Sequence, residues 1–146
     1  MKRFLTALAL TVAVSSVAVG YSPQAGGALS GDPKTTPAYG VLVLRKASVE
    51  AELADLSGMF TSQHPSVESK RFELSVIILE MGKMAALGKP LVSKLSDTYG
   101  GLILRKVALE VELKDLRNSY RPQHPHVKKK QVELAALERE IRGILR

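Results

Sequence analysis

The chain repeats itself. An offset of 60 residues aligns Tyr39–Met81 with Tyr99–Ile141, without gaps and with 19 identities in 43 positions. Tyr39-Gly40 returns as Tyr99-Gly100, Leu44-Arg45-Lys46 as Leu104-Arg105-Lys106, and Gln63-His64-Pro65 as Gln123-His124-Pro125. A period this long means one supersecondary unit per copy. The fold therefore has to be two versions of one small structure.

Within each copy the apolar period is close to 3.5. Leu42, Lys46, Val49, Leu53, Leu56 and Phe60 are spaced by alternating fours and threes, and so are Leu102, Lys106, Leu109, Leu113, Leu116 and Tyr120. After the Gln-His-Pro, Val67, Lys70, Leu74, Ile77, Met81 and Met84 continue the pattern, as do Val127, Lys130, Leu134, Leu137, Ile141 and Ile144. Such spacing is the a/d seam of a coiled coil and not the alternation of a strand. Each arm of about 20 residues spans roughly 30 Å as a helix. Pro65 and Pro125 suit the first position of a new helix and push the preceding His towards extended backbone. Gly58 and Asn118 suit left-handed helix ends. Two one-seamed helices joined by a short turn fold back on each other, with Gln63, His64, Pro65 and Gln123, His124, Pro125 as hairpin-turn motifs. The predicted fold is all-α: two tandem antiparallel coiled-coil helical hairpins, four main helices, after an N-terminal signal segment.

The remaining segments fill in around the hairpins. Met1-Lys2-Arg3, the apolar run Phe4 to Val14 and small residues at Ala18-Val19-Gly20 have the order of a secretory signal peptide, assigned to residues 1–20. The alternative is an uncleaved anchor, although the run is shorter than the roughly 20 residues that span a bilayer. Loss of Lys2 and Arg3 lowers the 21 basic residues to 19 against 14 acidic, and the charge from +7 to +5. Residues 21–37, rich in Gly, Pro, Ser and Thr, read as a flexible linker. Residues 38–87 form hairpin 1, 88–98 a partly helical connector, and 99–146 hairpin 2. The chain has no Cys, which removes disulfides, thiolate metal sites and a cysteine nucleophile. Only 5% of residues are aromatic, in keeping with narrow Leu/Val seams.

The second copy reads Leu113, then Tyr120-Arg-Pro-Gln-His124-Pro125-His-Val127, then Leu134 and Leu137. This leucine-heptad, Tyr-x-Pro-x-His-Pro-x-Val, leucine-heptad order resembles the periplasmic coiled-coil hairpin of polysaccharide co-polymerases, the chain-length determinant and exopolysaccharide transport proteins of bacterial envelopes. The first copy keeps His64-Pro65-x-Val67 but has Phe60 and Ser62 in place of the Tyr and the Pro. The resemblance is to the hairpin in two tandem copies, without the family's membrane and kinase parts; no Gly-x-x-x-x-Gly-Lys-[Ser/Thr] phosphate loop is present. It implies an envelope location and an association with polysaccharide biosynthesis or export.

No catalytic residues are expected. Glu50/Glu52 and Glu110/Glu112 stand two apart and do not share a helix face, and no Gly-x-Ser-x-Gly elbow occurs. His124-x-His126 lacks the further ligands of a metal site, so neither metal nor cofactor is expected. Two surfaces remain. Phe72, Val76 and Leu79 form a stripe beside the seam of the second helix, for hairpin-on-hairpin packing or for contact with another chain. Arg117, Arg121, Lys128, Lys129 and Lys130 gather at the second turn, a candidate anion-binding tip for glycan or lipid headgroups, or else a solvated loop. The expected role is a non-enzymatic, exported structural or interaction protein, periplasmic or secreted. Its expected partners are itself or another coiled-coil envelope protein; the alternative is anionic-polymer or membrane-surface binding through the tip. Nucleic acid is disfavoured, since no aromatic stacking platform accompanies the patch.

Overall fold

Thr36 and Ser96, one repeat length apart, start the same helix twice. Each side-chain oxygen accepts a hydrogen bond from a backbone N–H three residues on, that of Tyr39 and that of Tyr99. This satisfies one of the donors that every helix start leaves unpaired. The computed structural model describes residues 31–146, so the signal-peptide assignment lies outside the described residues, as does the linker up to residue 30. The helices are α1 (Pro37–Met59), α2 (Pro65–Ala85), the short α3 (Lys89–Val92), α4 (Asp97–Ser119) and α5 (Pro125–Leu145). No strand occurs among the described residues.

The fold is all-α, with α1 against α2 and α4 against α5 as two tandem antiparallel hairpins. The seams are buried where their threes and fours meet: Leu42, Val49, Val67, Ile77 and Met84 in the first hairpin, Leu109, Leu113, Val127 and Ile141 in the second. The helices end differently from the expectation at Gly58 and Asn118. Both residues lie inside the last helical turn, and the chain leaves through extended Phe60 (φ −129°) and Tyr120 (φ −134°). No left-handed residue is needed there, because the Phe60 and Tyr120 N–H groups still bond Leu56 and Leu116 O, each at 2.8 Å. The stretch before α1 also departs from a tether. Pro33–Thr35 form a 3₁₀ turn against α1 and α2, and Thr36 is buried.

The hairpins lie side by side with their tips at the same end. At the base, Gly100 of α4 meets Ala38 of α1, and the Ala38 N–H donates to Leu95 O at 3.2 Å. Near the tips, Ser69 of α2 bonds Asp115 of α4 at 3.1 Å. So α4 runs parallel to α1 and packs on both α1 and α2, whereas α5 packs chiefly on α4. That difference explains the uneven burial: α4 has seven buried residues and α5 only Val127 and Ile141. The connector closes the base, with Val92 and Leu95 buried and Leu87 packed on the core.

The stripe on α2 is largely used up by this packing. Val76 is buried, and Phe72 is partly buried with the Lys114 ammonium 4.8 Å from its ring centre. Leu79, on the same side of the helix, stays 55% exposed. Of the two uses open to Phe72, Val76 and Leu79, hairpin-on-hairpin packing takes Phe72 and Val76, and the three are not one free docking stripe.

Two glycines test this arrangement. A Cβ on Gly100 would stand 2.9 Å from Ala38 Cα, a backbone atom that cannot swing aside, whereas one on Gly40 meets nothing within 4 Å. Gly40→Ala is expected to stabilise the chain by about 0.5–1 kcal/mol through helix propensity. Gly100→Ala is expected to cost about 1–3 kcal/mol through overpacking, despite the same propensity gain. Urea unfolding of both variants should give shifts of opposite sign; equal stabilisation would mean that α4 does not approach α1 this closely.

Candidate functional site: the paired hairpin tips

Each tip is built by a stacked ring pair over a proline. Extended His64 (ψ 135°) and His124 (ψ 137°) precede Pro65 and Pro125 and act as the N-caps of α2 and α5. Their Nδ1 atoms accept from Ser66 N–H and His126 N–H, both at 3.3 Å. The same rings stack on the residue that ended the previous helix: Phe60 on His64 with centroids 4.1 Å apart, Tyr120 on His124 at 4.2 Å. One imidazole thus closes each turn by two contacts. Gln63 and Gln123 are exposed between them. The first tip has an extra tie, from Arg71 Nη1 to Ser62 O at 3.2 Å; the second has Gln131 at that position.

The charge on the two tips differs although the ring-His-Pro turn recurs. Arg117, Arg121, Lys128 and Lys129 are exposed, and their counterparts in the first copy are Ser57, Thr61, Glu68 and Ser69. Arg117, Arg121 and Lys128 make no ion pair among the described residues, and Lys129 has only a longer-range attraction to Glu133. Lys130 departs from the expected patch. It is held by Glu112 at 2.7 Å and Glu133 at 3.0 Å, which together keep its ammonium above its ordinary pKa. The same network exists in the first hairpin, where Lys70 binds Glu52 and Glu73, and Arg45 binds Glu73. Lys130 is therefore a repeated cross-link between helices. Lys114 is also occupied, by the Phe72 ring and by Glu68 O at 3.2 Å. The surface left to meet an anion is Arg117, Arg121, Lys128 and Lys129, with the exposed His126 beside His124.

At the other end a polar cluster sits inside the core. Glu80 of α2 and Lys106 of α4 are buried and paired at 2.6 Å, with Lys83 on Glu80 and Glu110 on Lys106. Burial pushes the Glu80 carboxyl up, but Lys106 and Lys83 outweigh it, so the group titrates below its ordinary value. Burial pushes Lys106 down, and Glu80 and Glu110 reverse the sign. Tyr99 lines the same groove, its phenol raised by burial and by Glu80. The sequence did signal this site, through a lysine at seam position 106; its partner came from the other repeat, which no spacing within a copy reveals. Every charge in the cluster has its partner within it.

Among the described residues, no three His, Asp or Glu side chains gather in a way that holds a metal ion, and no helix is long and apolar enough to cross a membrane. No family model, curated protein or solved structure matches this chain.

The buried pair makes stability depend on pH. Glu80, depressed when folded, contributes above about pH 4–5 and is lost as pH falls through its folded value. Lys106, raised when folded, contributes below about pH 10 and is lost as pH climbs through its folded value. Glu80→Gln leaves Lys106 with Glu110 only, so it should cost about 1–3 kcal/mol at neutral pH. Urea unfolding should show that deficit shrinking at pH 3. A deficit unchanged between the two pH values would separate the pair from the acid limb.

Proposed function

We propose that this chain is an exported, non-enzymatic helical interaction protein of the bacterial envelope, and that its second hairpin tip binds an anionic polymer. The observation that carries the reading is the charge difference between two tips closed by the same ring-His-Pro turn: Arg117, Arg121, Lys128 and Lys129 stand where the first copy has Ser57, Thr61, Glu68 and Ser69. Exposed cations fixed on one rigid turn attract a polyanion without a deep pocket, and that attraction weakens with salt. The likeness of the turn to polysaccharide co-polymerase hairpins favours an acidic glycan. Nucleic acid is a poorer fit, because His124 covers one face of Tyr120, the aromatic ring of that tip. The packed base supports a scaffold role, since its charges are neutralised by one another.

A second reading, an anionic lipid surface, rests on the same cations. Titration of the full chain with a polyuronate and with phosphatidylglycerol vesicles separates the two. Binding to the polyuronate at low salt is expected, falling steeply as salt rises. Lys128→Glu/Lys129→Glu should weaken it by at least about tenfold, or 1.4 kcal/mol, with the thermal midpoint unchanged. Ser57→Arg/Thr61→Arg in the first tip should strengthen it. Binding to vesicles alone would favour the lipid; no binding to either at low salt would sink the tip reading.

A further inference from the structure

The contact between the two hairpins is directional, and each of its halves recurs, uncovered, on the opposite side of the molecule. On α4, Gly100, Ile103, Leu104 and Val107 face the first hairpin; Gly100 lies against Ala38 and Val41, and Ile103 lines a groove with Glu80 and Met84. One repeat earlier the same positions on α1 are Gly40, Val43, Leu44 and Ala47, and all four are exposed, Leu44 by 74%. The receiving surface on hairpin 1 includes Val41, Phe72, Val76 and Glu80. One repeat later those positions are Gly101, Val132, Ala136 and Glu140, again all exposed, Val132 by 69%.

The charges recur with the shapes. Lys106 holds Glu110 one helical turn on and receives Glu80 from the facing hairpin. Lys46 holds Glu50 in the same way, at 2.6 Å, and has no third partner among the described residues. Glu140, the counterpart of Glu80, forms no ion pair among the described residues. Gly40 adds a separate observation. A glycine inside a helix costs stability; at Gly100 the close approach of α1 accounts for it, and at Gly40 nothing lies within 4 Å.

We infer that a second copy of this chain docks on α1 with its hairpin 2, repeating between molecules the contact that hairpin 1 makes with hairpin 2 within one. Val43, Leu44 and Ala47 of one copy lie against Val132 and Ala136 of the next, and Glu140 of that copy reaches Lys46. The side chains are smaller than those of the internal contact on both sides, so the association is weaker and depends on concentration. Because its two surfaces differ, it is head-to-tail and does not close as a two-fold dimer. The inference is independent of the anion-binding tip.

Sedimentation velocity on the full chain over rising concentration is expected to show species that grow without stopping at a dimer. Leu44→Glu/Ala47→Glu removes one surface and Val132→Glu/Ala136→Glu the other; each variant alone should be monomeric, with association weakened by at least about tenfold. All these residues are exposed, and circular dichroism melts check that both variants still fold. Mixing the two variants is the deciding step. Each keeps the surface the other has lost, so together they should form a 1:1 complex and nothing larger. Arg117→Glu/Arg121→Glu should leave the association intact, which distinguishes failure of this contact from failure of the tip reading. A wild-type chain that stays monomeric overturns the inference. So does a dimer that does not grow, an association untouched by either variant (which would point to the apolar run at residues 4–14), or a mixture that fails to pair.

Discussion

At Gly100 the backbone of α4 comes so near Ala38 that a single added carbon would collide with it. Everything above that contact follows from it. The approach sets α4 parallel to α1, brings Lys106 within 2.6 Å of Glu80, and carries Lys114 and Asp115 to the start of α2. Two hairpins that share only a seam design would otherwise be free to point in any relative direction. With α4 against both α1 and α2, the tips are held at one end and the connector closes the other.

The buried pair at the base has a different significance from the hydrophobic contact around it. Replacing a buried ion pair by apolar groups is often neutral or stabilising, whereas removing one member is costly. Glu80 and Lys106 thus add less to total stability than to the choice of arrangement, because a hairpin docked in another register would leave each charge with its same-helix partner only, Lys83 or Glu110. The apolar cluster of Leu42, Ile77, Ile103 and Val107 supplies driving force, while the charges select among packings of similar apolar area. The repeated Glu-Lys-Glu ties on the two hairpins, Lys70 with Glu52 and Glu73 and Lys130 with Glu112 and Glu133, are more exposed and contribute less, as partly solvated pairs do.

Much of the tip was legible in the residues. His before Pro, a ring-bearing residue four positions earlier and an apolar residue three positions later fix the turn by local rules alone. Its electrostatics were only partly legible. Lys130 counts as basic in any sum, but Glu112 and Glu133 neutralise it, and Glu112 lies on another helix. The stripe Phe72, Val76, Leu79 shows the same limit: spacing marks an extra apolar face on α2, and only the course of α4 shows that Val76 is covered while Leu79 is not.

The sequence by itself determined the helices, the prolines that start α2 and α5, the turns and the fact of two like hairpins. These depend on neighbours within a few residues and on a 3.5-residue period, and the 60-residue repeat states them twice. Tertiary structure alone decided which face of one copy meets which face of the other, because a repeat carries both halves of a contact and does not say which is used. It placed Glu80 beside Lys106 and gave Glu140 no such partner among the described residues, put α5 on the outside, and left Gly40, Val43, Leu44 and Ala47 exposed. The physical reason is that a directional contact between two like units always leaves one half open at each end.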